Sequence, residues 1–113
     1  MDRLLQIDSP IPKFIRDATD FYMEFHDDFQ GIQGCVINDP LALALTFAPA
    51  LCDYQELPVD VDISGGISMG KTIADFYNYN KLPSNLKVAL HVRSRDFIEL
   101  FLERMEKLSR EKR

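Results

Sequence analysis

Ile11, Phe14, Ile15, Ala18, Phe21, Tyr22, Phe25 and Phe29 recur at steps of three and four residues, and no other feature limits the fold of this chain as strongly. They predict an amphipathic helix that opens at Ser9-Pro10, a cap followed by a proline in the first turn, tolerates Pro12, and ends near Gly31. Lys13, Arg16, Asp17, Asp20, Glu24 and Asp27 form its polar face. A helix with such a stripe needs another layer against it. The stripe is therefore expected in the core, with the lining of a ligand pocket as the alternative. His26 and Asp28 have no partner at metal-ligand spacing and are expected at the surface.

A short loop, residues 31–37, leads to Gly34-Cys35-Val36-Ile37-Asn38-Asp39-Pro40-Leu41-Ala42-Leu43-Ala44, where two polar residues stand directly before an apolar helix. Proline suits the first helical position and aspartate the cap before it. Asp39 can therefore serve as a cap, as a ligand carboxylate on a rigid mount, or as both. The helix that follows, LALALTFAPAL, is apolar on nearly all sides, which predicts burial between layers; Pro49 is expected to end or bend it.

Leu57 to Ile63 alternates with period two, placing Val59, Val61 and Ile63 inward and Asp60 and Asp62 outward. Two carboxylates on one strand face could hold a cation, but no further oxygen ligands accompany them, and a solvent-facing strand is the simpler reading. Gly65-Gly66 marks a turn, and Ile67 to Tyr77 reads as a strand or strand pair with Gly70 as a bulge. Gly65 to Thr72 carries the letters of a G-x-x-x-x-G-K-T phosphate loop. A phosphate loop opens a long helix, however, and Ile73 to Asn80 has strand-like aromatics that soon reach a turn. Leu86 to Val92 alternates again, with His91 on the outer face, and from Ser94 the residues Phe97, Ile98, Phe101, Leu102, Met105 and Leu108 predict a terminal helix, covering a sheet, with Glu103 and Lys107 four apart.

Composition narrows the function classes. A chain of 113 residues, 46% hydrophobic and 27% charged, suits one domain, 1–113, with a modest core. A net charge of −5 and a pI near 4.9 argue against a nucleic-acid partner held through phosphates. The basic residues of the C-terminus, Arg104, Lys107, Arg110, Lys112 and Arg113, alternate with Glu103, Glu106 and Glu111, as on a solvated helix face. No apolar run approaches membrane length, and MDRLLQIDSP lacks the core of a signal peptide, so no membrane association and a cytoplasmic location are expected. Cys35 and Cys52 have no metal-ligand spacing and are expected as reduced, mostly buried thiols.

The order of these elements, with the letters from Gly34 to Ala44, Val59 to Ile63, Gly70-Lys71-Thr72, Leu86 to Leu90 and the Phe97 to Met105 helix, resembles the C-terminal third of the inosine-uridine preferring nucleoside hydrolase family. The resemblance implies that Asp39 ligates a calcium ion, which in that family holds the ribose hydroxyls and a nucleophilic water. It implies that Asn38 contacts the base. The family often has a histidine there to protonate the departing base, and a neutral amide cannot act as a general acid near pH 7. It also implies that Gly70-Lys71-Thr72 belongs to a strand.

Full members of that family are nearly three times as long, and the aspartate-rich D-x-D-x-x-x-D-D segment that supplies most calcium ligands does not occur here. The expectation is an α/β fold, with about three helices packed on a small, largely antiparallel set of strands. Its expected role is the C-terminal piece of a nucleoside N-ribohydrolase, serving purine and pyrimidine salvage and inactive without the missing N-terminal part, with calcium not stably bound by this chain alone. The expected partners are a ribonucleoside once complemented, and either a complementary N-terminal chain or another copy. The alternative is a non-catalytic remnant acting as a self-associating interaction module.

Overall fold

In the computed structural model, which describes residues 2–31 and 33–111, Ser9 Oγ accepts the Ile11 N–H at 3.5 Å and opens the helix Pro10–Gln30. Both prolines fall in its first turn, where a missing N–H leaves no bond unmade. Gly31 closes it with φ 64°, a left-handed conformation that favours glycine, and its N–H reaches the Asp27 carbonyl at 3.1 Å. Lys112 and Arg113 of the C-terminal charge pattern, and Ile32 of the loop before Asn38, lie outside the described residues.

The elements run in the order α1 (Asp2–Leu5), α2 (Pro10–Gln30), α3 (Asn38–Phe47), a 3-10 turn (Pro49–Leu51), β1 (Cys52–Leu57), β2 (Val59–Val61), β3 (Thr72–Ala74), β4 (Leu86–Val92) and α4 (Ser94–Glu111). The fold is thus mixed α/β with small antiparallel sheets, as expected, and the short α1 adds a fourth helix to the three expected. No helix among the described residues is long and apolar enough to cross a membrane. The chain divides into two compact units, residues 1–51 with 93–113, and residues 52–92.

The first unit is helical. Its core joins Ala44, Leu51 and Phe97, with Ile37, Leu41, Leu45, Leu100 and Phe101 partly buried around them. Here α4 packs against α1, α2, α3 and the 3-10 turn. Arg93 anchors the start of α4, its N–H donating to Leu51 O at 2.8 Å and its guanidinium to Ala50 O. The short helix α1, which carries no periodic signal, inserts Leu4 with no exposed surface. Arg3 beside it donates to Glu99 at 2.8 Å and to Glu106, so α1 is tied to α4 by two carboxylates that also raise the Arg3 pKa. Farther along α4, Lys107 reaches Glu111 at 3.9 Å.

Three expectations are corrected in this unit. Helix α3 is not buried on all sides: Leu43 is 66% and Phe47 56% exposed. His26 is not at the surface but 4% exposed, with its Nδ1 2.8 Å from the Tyr22 carbonyl and its ring edge-on to Tyr22. Nor does the aromatic stripe of α2 enter the core, for Phe14, Phe21 and Phe29 are 72%, 78% and 76% exposed. At about 100° per residue, Phe14, Phe21, Phe25 and Phe29 share an arc of roughly 80°, centred roughly 115° from Pro12, Ile15, Thr19 and His26, which with Ile11 of the first turn are the more buried positions of the helix. The periodicity located one broad apolar arc, and only half of it is covered by the helices of this unit.

The second unit holds two sheets of two strands. β1 pairs antiparallel with β4, Cys52 opposite Val92 and Leu57 opposite Leu86, with a register shift between Asp53 and Tyr54 that leaves Leu90 as the extra residue. The predicted strand from Leu57 to Ile63 is interrupted at Pro58: Leu57 ends β1, and Val59 begins β2, which pairs antiparallel with β3. Val61 and Ile63, the latter beyond β2, are both exposed, so of the expected inward row Val59 alone is partly buried. The turn between β2 and β3 closes through Gly70 N–H to Asp62 O at 2.7 Å and Asp62 N–H to Lys71 O at 3.0 Å, with Gly70 at φ 85°. Thr72 starts β3, so Gly-Lys-Thr is turn and strand and no helix follows it.

Candidate functional site

Asn38 and Asp39 occupy the first turn of α3, which begins two residues earlier than its proline suggests. Ile37 is the capping residue, and no side chain caps the helix. Asp39 is therefore not the cap: it sits within the first turn and Pro40 follows as the third helical residue, still inside the stretch whose N–H groups have no helical acceptor. The carboxylate gains from the positive end of the helix dipole without being tied to a backbone N–H. Among the described residues, no ion pair or side-chain hydrogen bond engages it, and both Asn38 and Asp39 are exposed.

The pair borders a hollow of about 600 Å³ in the helical unit. Its walls are apolar and come from four helices and the loop before α3, with Leu4 on α1, Ile15 and Tyr22 on α2, Val36 on the loop, Pro40 on α3, and Ile98 and Phe101 on α4. Polar groups are few: the Asn38 amide, the Asp39 carboxylate, the Cys35 thiol and the hydroxyls of Thr19 and Tyr22. Thr19 Oγ1 already donates to Ile15 O at 2.8 Å. A second hollow, of about 380 Å³, lies between α3 and α4 and shares Asp39, Pro40 and Phe101 with the first. On its wall the Arg104 guanidinium stands 5.9 Å from the centre of the Phe47 ring. Asp39 thus stands on the rim between two apolar hollows, an arrangement suited to a ligand with a polar edge.

Other residues singled out in the sequence take local roles. Asp62 accepts from the Ser64 N–H at 2.8 Å and from the Ser68 hydroxyl, which, with Ser64, lowers its pKa to about 2. Asp60 accepts the Val61 N–H at 2.7 Å, and His91 is exposed on β4. Cys52 is buried and Cys35 half-buried, both as free thiols.

Calcium takes six to eight oxygen ligands. Among the described residues no group of three or more histidine, cysteine, aspartate or glutamate side chains is gathered to hold a metal ion. The sequence did not show that Tyr22 and Phe101 would join Asn38 and Asp39 around one hollow. Helical periodicity locates the apolar face of each helix and leaves open which faces meet.

A family model described as inosine-uridine preferring nucleoside hydrolase matches residues 1–99. The pyrimidine-specific ribonucleoside hydrolase RihA of Salmonella gallinarum is 30% identical over 107 residues, covering 94% of this chain and 34% of that protein. The inosine-uridine preferring nucleoside hydrolase of Crithidia fasciculata is 24% identical over 108 residues, 96% of this chain and 34% of that protein. Among solved structures, a purine-preferring ribonucleoside hydrolase from Gardnerella vaginalis superimposes with a TM-score of 0.79 at 28% identity, over 96% of this chain and 34% of that one. The chain spans about a third of the length of the curated relatives it matches.

Proposed function

The chain belongs to the inosine-uridine preferring nucleoside hydrolase family, and we propose that it acts as the C-terminal portion of a nucleoside N-ribohydrolase. The reaction is hydrolysis of the bond between ribose and base in a ribonucleoside, carried out together with the part of the family's fold that lies outside these residues. The observation that carries this reading is the Asp39 carboxylate, exposed and unengaged on the rim of the hollow of about 600 Å³. Breaking an N-glycosidic bond requires negative charge near an oxocarbenium-like sugar and a way to release the base. Asp39 supplies one carboxylate toward a calcium site that other segments complete. The Asn38 amide hydrogen-bonds the base but transfers no proton to it. A cytoplasmic role in purine and pyrimidine salvage accords with this chemistry.

The test is a chimera in which this chain replaces the matching third of Salmonella gallinarum RihA. With calcium present, ribose release from uridine or inosine is expected from the chimera, not from the chain alone, and is expected to disappear on Asp39→Ala. A folded chimera that is inert, or equally active after that substitution, rejects the assignment.

A second reading, a non-catalytic module that pairs with another copy, is favoured by Leu43 and Phe47, exposed on α3. A monomeric mass by light scattering across the micromolar range excludes it.

A further inference from the structure

The half of the α2 arc that the helical unit leaves open is too apolar and too continuous to be an ordinary solvent face. Phe14, Phe21 and Phe29, each more than 70% exposed, repeat along about four turns of one helix, and Phe25 stacks on Phe29 with ring centres 5.0 Å apart. The three phenylalanines alone leave on the order of 400 Å² of apolar surface, as much as the largest patch on many monomers. Lys13, Arg16, Asp20 and Asp27 lie on the far side of this helix, and Asp17, Glu24 and Asp28 edge the stripe. A contiguous exposed apolar stripe of this size marks an interaction surface.

Two occupants compete, another copy of this chain and a different polypeptide. Pairing two copies along α2 would bring together helices edged by Asp17, Glu24 and Asp28, in a chain of net charge −5. The chain spans about a third of its relatives' length, so the fold to which it belongs contains twice as much polypeptide again. We propose that the Phe14–Phe21–Phe25–Phe29 stripe of α2 is the docking face for that remaining portion of the nucleoside hydrolase fold, whether joined to this chain or supplied separately. The assignment rests on the proposed function for the identity of the partner and on the exposed stripe for its place.

Hydroxyl-radical labelling of the chain alone and of the RihA chimera, each read by mass spectrometry and paired with light scattering, tests it. Phe14, Phe21 and Phe29 are expected to label at least fivefold less in the chimera, and to label freely in the chain alone. As a second measurement, the chain is co-expressed with a tagged RihA segment comprising the other two thirds. Co-purification is expected to fall more than tenfold with the Phe14→Asp/Phe21→Asp double variant and to persist with Lys13→Glu/Asp20→Lys on the polar face.

Unchanged labelling in a chimera that elutes as one species overturns the proposal, as does an insoluble chimera together with no co-purification. Protection already present in the chain alone, at the mass of a dimer, assigns the stripe to a second copy and overturns it too. Because labelling and co-purification do not depend on turnover, a protected stripe in an inert chimera upholds the docking face while rejecting the catalytic reading.

Discussion

The side chain of Asn85 takes the place of a neighbouring strand for Val59: its Nδ2 donates to Val59 O at 2.9 Å and its Oδ1 accepts the Val59 N–H at 2.8 Å. An amide side chain carries the same donor and acceptor as a peptide unit. It completes the first residue of β2 just after Pro58, which has no N–H to offer. Asn85→Ala is expected to remove both bonds, to destabilise the 52–92 unit by about 1–2 kcal/mol, and to speed amide exchange at Val59 more than at Val61. Asn85→Asp keeps only the acceptor and is expected to fall between the two.

Leu4 gives the clearest packing prediction. It is fully buried although it sits on a helix of four residues. Leu4→Ala is expected to cost about 2–4 kcal/mol in chemical denaturation, since a buried leucine loses both its transfer free energy and the contacts around the cavity left behind. Leu5→Ala, at its half-exposed neighbour, is expected to change stability by well under 1 kcal/mol.

The pH dependence of the turn after β2 follows from Asp62. The Ser68 hydroxyl, and Ser64 with it, lower its pKa from 3.8 to about 2, so the folded state favours the ionised form. The associated stability is present above the unfolded value near pH 3.8 and is lost as pH falls toward 2. Carboxyl NMR titration is expected to show Asp62 titrating below the ordinary aspartate range, and Ser68→Ala is expected to move it upward. Asp75, whose carboxylate accepts the backbone N–H groups of Asn80 and Tyr79, is lowered as well and is expected to be untouched by that substitution.

At the candidate site, Asp39→Asn is expected to change the stability of the chain by under about 1 kcal/mol, because the carboxylate has only the helix dipole to lose. The same substitution in an active chimera is expected to reduce ribose release by about two orders of magnitude or more. Asn38→His, which restores a group able to donate a proton near neutral pH, is expected to raise kcat about tenfold or more for bases that leave poorly.

How much of this was legible in the letters depended on whether a residue's role is local. Ser9, Pro10 and Gly31 fix the ends of α2 through bonds made within a few residues, and both ends fall where the sequence puts them. Leu86 to Val92 forms the strand its alternation predicts. β1 went unseen because its buried residues, Cys52 and Leu57, bracket four exposed ones and leave no period to detect. The start of α3 was misplaced because proline serves equally well anywhere among the first helical residues. Asn38 and Asp39 stand out as a pair, whereas the hollow beside them does not, since it is made by the meeting of α1, α2, α3 and α4. Burial of His26 was missed for the same reason: its hydrogen bond to Tyr22 O is local, but the layer above it is not.

Pro40 gives the rim a property beyond its position. Its ring holds φ near −65°, the value a first helical turn needs, so the backbone that follows Asp39 has little freedom left once the helix forms. The ordering of that backbone is completed during folding and not at the moment of capture. A ligand meeting Asp39 has only the torsions of one short side chain to arrest, and the affinity it loses to immobilisation is correspondingly small.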